Sequence, residues 1–159
     1  MRTFIAGIVL IMAATLASAT QAQVPQYGTS IDLEQARKAI AAAEAEAKKN
    51  SWPVAIAVVD QHGLLVAFGK LDNTQTGSVQ IAIDKAASAA MYRRPTKAFQ
   101  DALAAGGAGL RVLNLRGAST VEGGLPITVD GKIIGAIGVS GVNADQDGMV
   151  AKAGADAFK

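Results

Sequence analysis

Residues 125–140 read Leu125-Pro126-Ile127-Thr128-Val129-Asp130-Gly131-Lys132-Ile133-Ile134-Gly135-Ala136-Ile137-Gly138-Val139-Ser140. Asp-Gly between two apolar runs is a strong short-range signal for a two-residue type I′ turn, whose central residues both need positive φ. The segment is therefore a β-hairpin, and its two strands run antiparallel. Alternation along the second strand puts Ile133, Gly135, Ile137 and Val139 on one face and Ile134, Ala136, Gly138 and Ser140 on the other. The second face carries almost no side chain, so a helix or a flat ligand fits close against it.

A second hairpin lies upstream. Val54 to Asp60 is β-branched and apolar throughout, as a strand covered on both faces is. Asp60-Gln61-His62-Gly63 suits a type I turn, and Leu64 to Lys70 returns. Helical spacing marks the segments between. Leu33, Ala36, Ile40, Ala43 and Ala47 form one stripe, with a cap expected at Thr29-Ser30. Val79, Ala82, Ile83, Ala86 and Ala90 form another, on a helix capped by Ser78 and ending near Tyr92. Pro95 breaks that helix, a short one follows over 97–104, and Arg111 to Leu115 reads as a short strand. Asn143-Ala144-Asp145-Gln146 is a capping box that opens a last helix, reaching about Phe158. Hairpins joined by helices make an α+β domain, an antiparallel sheet with packed helices.

The first residues are of a different kind. A positive start at Arg2, an apolar run over 4–17 and small residues to Ala22 are the three parts of a secretory signal peptide. Cleavage fits best after Ala22, with Ala19 as the other site. The expected organisation is a signal peptide over 1–22, a flexible leader over 23–29 and a single domain over 30–159, in the periplasm or secreted. Removing the peptide takes away one charge, Arg2, and lowers the net charge from +2 to +1. So weak a balance argues against a nucleic-acid partner, which needs a basic stripe. The chain holds no cysteine and one histidine, which excludes a disulfide scaffold, a thiolate nucleophile and a Cys/His zinc site. After cleavage nothing is left to hold a membrane.

Several runs are similar to the haem-binding GlcG/HbpS/PduO C-terminal family. They are Val58-Val59-Asp60 with Gly63, Lys70-Leu71-Asp72, Lys85-Ala86 and Tyr92-Arg93-Arg94-Pro95-Thr96. The most specific are Gly123-Gly124-Leu125-Pro126-Ile127 and Gly135-Ala136-Ile137-Gly138-Val139-Ser140-Gly141, with Asp147 beyond. The resemblance covers residues 30–157. It implies a profilin-like fold with a five-stranded antiparallel sheet, assembly into homo-oligomers, and haem or another tetrapyrrole as ligand, with haem degradation in some members.

Each candidate residue has a functional and a plain reading. His62 suits an axial haem ligand or a solvated turn. Arg93 and Arg94 suit a propionate or other carboxylate, or a helix C-terminus. Tyr92 suits ferric iron or a macrocycle face, or plain packing. Glu122, beside the Gly123-Gly124 pair, suits a general base or a solvated turn, and Asp60 a polar ligand group or a backbone cap. Gly123, Gly124, Gly138 and Ser140 would line the ligand, or simply allow close packing. With no Cys-x-x-Cys-His motif, haem would be held non-covalently. The reading is an exported haem-binding protein with haem-degrading activity as an extension. The alternative is an enzyme or accessory protein acting on a small carboxylated metabolite, anchored at Arg93 or Arg94.

Overall fold

A computed structural model describes residues 24–159. The expected signal peptide lies outside the described residues. Helix α1 spans Leu33–Lys49, strand β1 Ala55–Asp60 and strand β2 Leu65–Lys70. Helices α2, Ser78–Tyr92, and α3, Lys97–Ala104, follow. Strands β3, Gly124–Val129, and β4, Lys132–Ser140, precede helix α4, Ala144–Ala155. The sheet is antiparallel in the order β2-β1-β4-β3. Helix α2 covers one face, and α1 with α4 covers the other.

The β3–β4 turn forms as its sequence demands, with φ of 50° at Asp130 and 71° at Gly131. The α4 capping box also forms, Asn143 and Gln146 each accepting from the other's backbone N–H. Two caps differ from expectation. Asp32, not Thr29 or Ser30, caps α1, its Oδ1 accepting from Gln35 N at 2.7 Å while Gln35 Oε1 accepts from Asp32 N at 3.1 Å. Ser78 lies inside α2 behind Gly77, and its hydroxyl meets Ser140 Oγ at 3.1 Å in the core.

The sheet has four strands among the described residues, not five. Of the stretch expected as a strand, Arg111 to Leu115, all but Leu115 falls in a 3-10 helix over Gly107–Asn114, of which only Val112 is buried. A fifth strand there would need a ladder partner. That 3-10 helix packs against α3 rather than along an edge strand, so it finds none. A bulge also corrects the reading of β4. Ile127 pairs Gly135 and Thr128 pairs Ile133, so Ile134 is skipped. Ile134 therefore joins the α1/α4 side, while Ala136 and Gly138 keep their place under α2.

The end of the expected leader is pinned. Tyr27 bridges Ile133, Gly28 N donates to Ile133 O at 2.8 Å, and Tyr27 OH donates to Ala90 O at 2.9 Å. No described helix is long and apolar enough to cross a membrane.

Candidate functional site

The open side of α2 forms one wall of a groove. Ile81, Ala87 and Met91 face residues 117–121 across about 580 Å3 of mostly apolar space, with Asp84 on the same wall. Val121, Met91 and Ile81 are each more than two-fifths exposed, so apolar surface is left open here. Two hydrogen bonds hold the facing loop. Ser88 Oγ accepts from Ser119 N at 2.9 Å, and Tyr92 OH donates to Arg116 O at 2.8 Å. Tyr92 thus positions the loop, its ring edge-on to Phe99 with centroids 5.2 Å apart.

The β1–β2 turn abuts the same groove. A Cβ on Gly63 would lie 3.4 Å from both Ala87 Cβ and Met91 Cγ, and one on Gly117 would lie 3.3 Å from Met91 Cε. The Met91 side chain therefore reaches from the turn to the loop. His62 sits exposed on that turn, its Nε2 3.4 Å from Gln61 Nε2. Asp60 builds the turn, its Oδ1 accepting from His62 N at 2.8 Å and from Leu64 N at 2.9 Å. That is the backbone-capping reading of Asp60. Gln61 Oε1 is buried with no partner among the described residues.

Arg93 and Arg94 are not one cluster. Arg93 adopts the left-handed region with φ of 53°, which sends consecutive side chains apart. Its guanidinium lies 5.4 Å from the Tyr27 ring centroid, and Nη1 donates to Pro25 O at 3.4 Å. Arg94 stands 5.7 Å from the Phe99 ring, and Lys97 pairs with Asp101 at 2.7 Å. None of the three lines the α2 groove.

A second concavity of about 220 Å3 lies at the Gly123–Gly124 corner, lined by Pro95, Lys97, Glu122, Leu125 and Lys152 among others. The corner is fixed from both sides. Gly124 N donates to Thr96 Oγ1 at 2.9 Å, Thr96 N to Gly124 O at 3.0 Å, and Val139 N to Gly123 O at 2.9 Å. Glu122 N donates to Gln100 Oε1 at 2.8 Å, while its carboxylate rests against Gly148 of α4. The hydrogen bond to Asp101 holds the Lys97 ammonium above its ordinary value, and the nearby Glu122 charge adds to this.

Behind the corner is a pair that sequence reasoning missed. Lys85 Nζ, 1% exposed, donates to Asp147 Oδ2 at 2.8 Å and to Val139 O at 3.0 Å. Asp147 Oδ1 accepts from Val142 N at 3.2 Å. Burial pushes the Asp147 carboxyl above its ordinary 3.8, with the Lys85 ammonium pulling the other way. Lys85 leaves α2 on one side of the sheet and Asp147 leaves α4 on the other. They meet beside Gly123, where a Cβ would come 2.9 Å from Lys85 Nζ and 3.0 Å from Asp147 Cβ. A lysine within an alanine stripe, at 85 between Ala82 and Ala89, was the available signal.

Gly138 and Ser140 are taken by packing. A Cβ at 138 would overlap the Ala82 carbonyl and the Ala86 nitrogen, and Ser140 is 4% exposed. Of the two occupants that suit the bare strand face, the helix holds it. Among the described residues no group of three or more acidic or histidine side chains gathers to hold a metal ion.

The model of the family described as "Haem degrading protein HbpS-like" matches residues 31–156. Protein GlcG of Escherichia coli strain K12 is 42% identical over 107 residues, 67% of this chain and 78% of that protein. The structure of HbpS from Streptomyces reticuli, solved as a double mutant, superposes with a TM-score of 0.75 at 30% identity, covering 96% of this chain and 99% of that one. A PduOC:haem complex shares the fold, with a TM-score of 0.73 at 24% identity over 82% of this chain and 96% of that one.

Proposed function

Because the chain belongs to the HbpS-like family, we propose that it binds haem non-covalently in the groove between α2 and residues 117–121. The observation that carries this is the donor set around an open apolar surface. Haem iron takes imidazole and thioether ligands. Met91 lines the groove, and His62 stands on the turn that touches Met91 and Ala87. The volume, about 580 Å3, lies within the roughly 300–1,000 Å3 usual for a ligand of drug size, whereas the 220 Å3 corner cleft lies below it. Arg116, exposed beside the groove-lining Gly117, is the arginine assigned to a propionate in this proposal, because Arg93 and Arg94 stand against Tyr27 and Phe99. When bound, the group would supply redox chemistry. The chain's own residues would offer an apolar surface, with His62 and Met91 as the side chains to hold the group.

Titration with hemin tests this. A saturable red-shifted Soret band is expected, with affinity falling about tenfold or more in His62→Ala or Met91→Ala. No shift in the unaltered protein would remove haem binding, and full affinity in both variants would remove the groove. Degradation is the finer part of the proposal, expected as peroxide-driven loss of the bound Soret band faster than for free hemin. Export is supported by the reading of residues 1–22, and the periplasmic or secreted protein is expected to begin at Gln23 by mass. Self-association is supported by the exposed Leu110, Leu113 and Leu115, and sedimentation is expected to give a species heavier than the monomer.

A further inference from the structure

We propose that the cleft at the Gly123–Gly124 corner is a separate binding site for a small zwitterion with an apolar body, the chemistry of an aliphatic α-amino acid. Its volume, about 220 Å3, suits a molecule far smaller than haem. Pro95, Leu125 and glycine backbone make most of its surface apolar. Side chains of both charge signs line this small space. Glu122 is half-buried, and its carboxylate has no hydrogen-bond or ion-pair partner among the described residues. Lys97 enters from α3 and Lys152 from α4. Lys97 pairs with Asp101 one turn along α3, and Lys152 with Asp156 just past the end of α4; neither aspartate lines the cleft.

A carboxylate taken partly out of water without a donor is a standing cost, which an ammonium group removes. A simple anion in the cleft would face Glu122, and a simple cation would leave unused the N–H donors that Lys97 and Lys152 keep beyond their aspartate pairs. A ligand carrying both groups complements the whole set, and the mismatch excludes the others. The corner is also pre-organised. Three hydrogen bonds fix Gly123 and Gly124, two between backbone groups and one to the Thr96 hydroxyl, and the buried Lys85–Asp147 pair stands directly behind them. A site that is rigid before binding loses less on binding.

Calorimetric titration of the whole protein with L-leucine, 4-methylpentanoate and 3-methylbutylamine tests the proposal. The last two lack the ammonium and the carboxylate respectively. Leucine is expected to bind, and each truncated analogue to bind about tenfold more weakly or worse. Glu122→Gln is expected to cost leucine about tenfold or more, with the hemin titration unchanged. Gly148→Ala gives an independent arm. Its Cβ would come 2.6 Å from Glu122 Oε1 and turn the carboxylate away, while alanine suits the helix better than glycine. Leucine binding is expected to be lost there in a folded protein. The proposal is overturned if leucine does not bind at about 10 mM, if 4-methylpentanoate binds as tightly as leucine, or if Glu122→Gln has no effect. None of these outcomes touches the haem reading, which is tested at a different groove.

Discussion

On the face of the sheet covered by α1 and α4, the strands present Ile56, Val58, Ile127, Ile137 and Val139. Under α2 they present Ala55, Ala57, Val59, Ala136 and Gly138. Strand β1 alternates between the two faces residue by residue, and under α2 its side chains are small except at Val59. The first face gains from area, about 1.5–3 kcal/mol for each large side chain taken from water. The second gains less per residue but lets a helix backbone approach a strand backbone. A bulky face can be trimmed at graded cost, while a thin face has no room to enlarge. The thin face also lets Lys85 cross from α2 past the end of β3 to reach Asp147.

The sharpest break of this contrast is where the two layers meet. Asp147→Ala leaves a buried ammonium without its carboxylate and is expected to cost about 3–5 kcal/mol by denaturant unfolding. Replacing both partners, Lys85→Met with Asp147→Leu, should recover most of that loss, since an apolar pair needs no compensation. If the single variant unfolds at the unaltered midpoint, the pair does not strap the layers.

The faces themselves come next. Gly138→Ala, on the thin face, is expected to cost about 1–3 kcal/mol although it adds one methyl group, because backbone must move. Ile137→Val, next to it but on the bulky face, removes one methyl group and is expected to cost about 0.5–1.5 kcal/mol. Equal costs would mean that α2 yields as readily as the α1/α4 layer. Thermal unfolding of the two variants side by side decides.

What was legible in the sequence follows the same division between local and distant causes. The β3–β4 hairpin, the helix ends at Tyr92 and Ala104 and the α4 capping box depend on neighbouring residues, and the structure has them. The skipped Ile134 depends on what β3 offers across the ladder, so simple alternation put it on the wrong face. The apolar spacing over 111–115 suggests a strand, and only the fold shows that this stretch packs on α3 as a 3-10 helix. Of the candidate site, the Gly123–Gly124 corner and the turn carrying His62 were found from motifs. Met91, a helix residue facing outward, carried no motif. Lys85 and Asp147 are 62 residues apart, and only the fold shows that they meet. Consecutive Arg93 and Arg94 read as one basic patch, but a single left-handed residue parts them.

The smallest expected effect compares the two ends of α4. Burial raises Asp147 above 3.8, so the folded state binds its proton more readily than the unfolded state. Its contribution is most favourable at low pH and is lost as pH rises from 3.8 through the raised value. Hydrogen bonds from Lys152 and Lys159 hold Asp156 below 3.8. Its contribution is full above 3.8 and is lost as pH falls through the lowered value. The two carboxylates therefore act with opposite sign in adjoining pH windows. Unfolding free energy measured against pH should lose slope above 3.8 in Asp147→Asn and below 3.8 in Asp156→Asn. The second change is the weaker, because the Asp156 pairs are open to water and screened by salt. Raising the salt should erase the Asp156 difference first; if it erases the Asp147 difference equally, that carboxylate is not shielded from solvent.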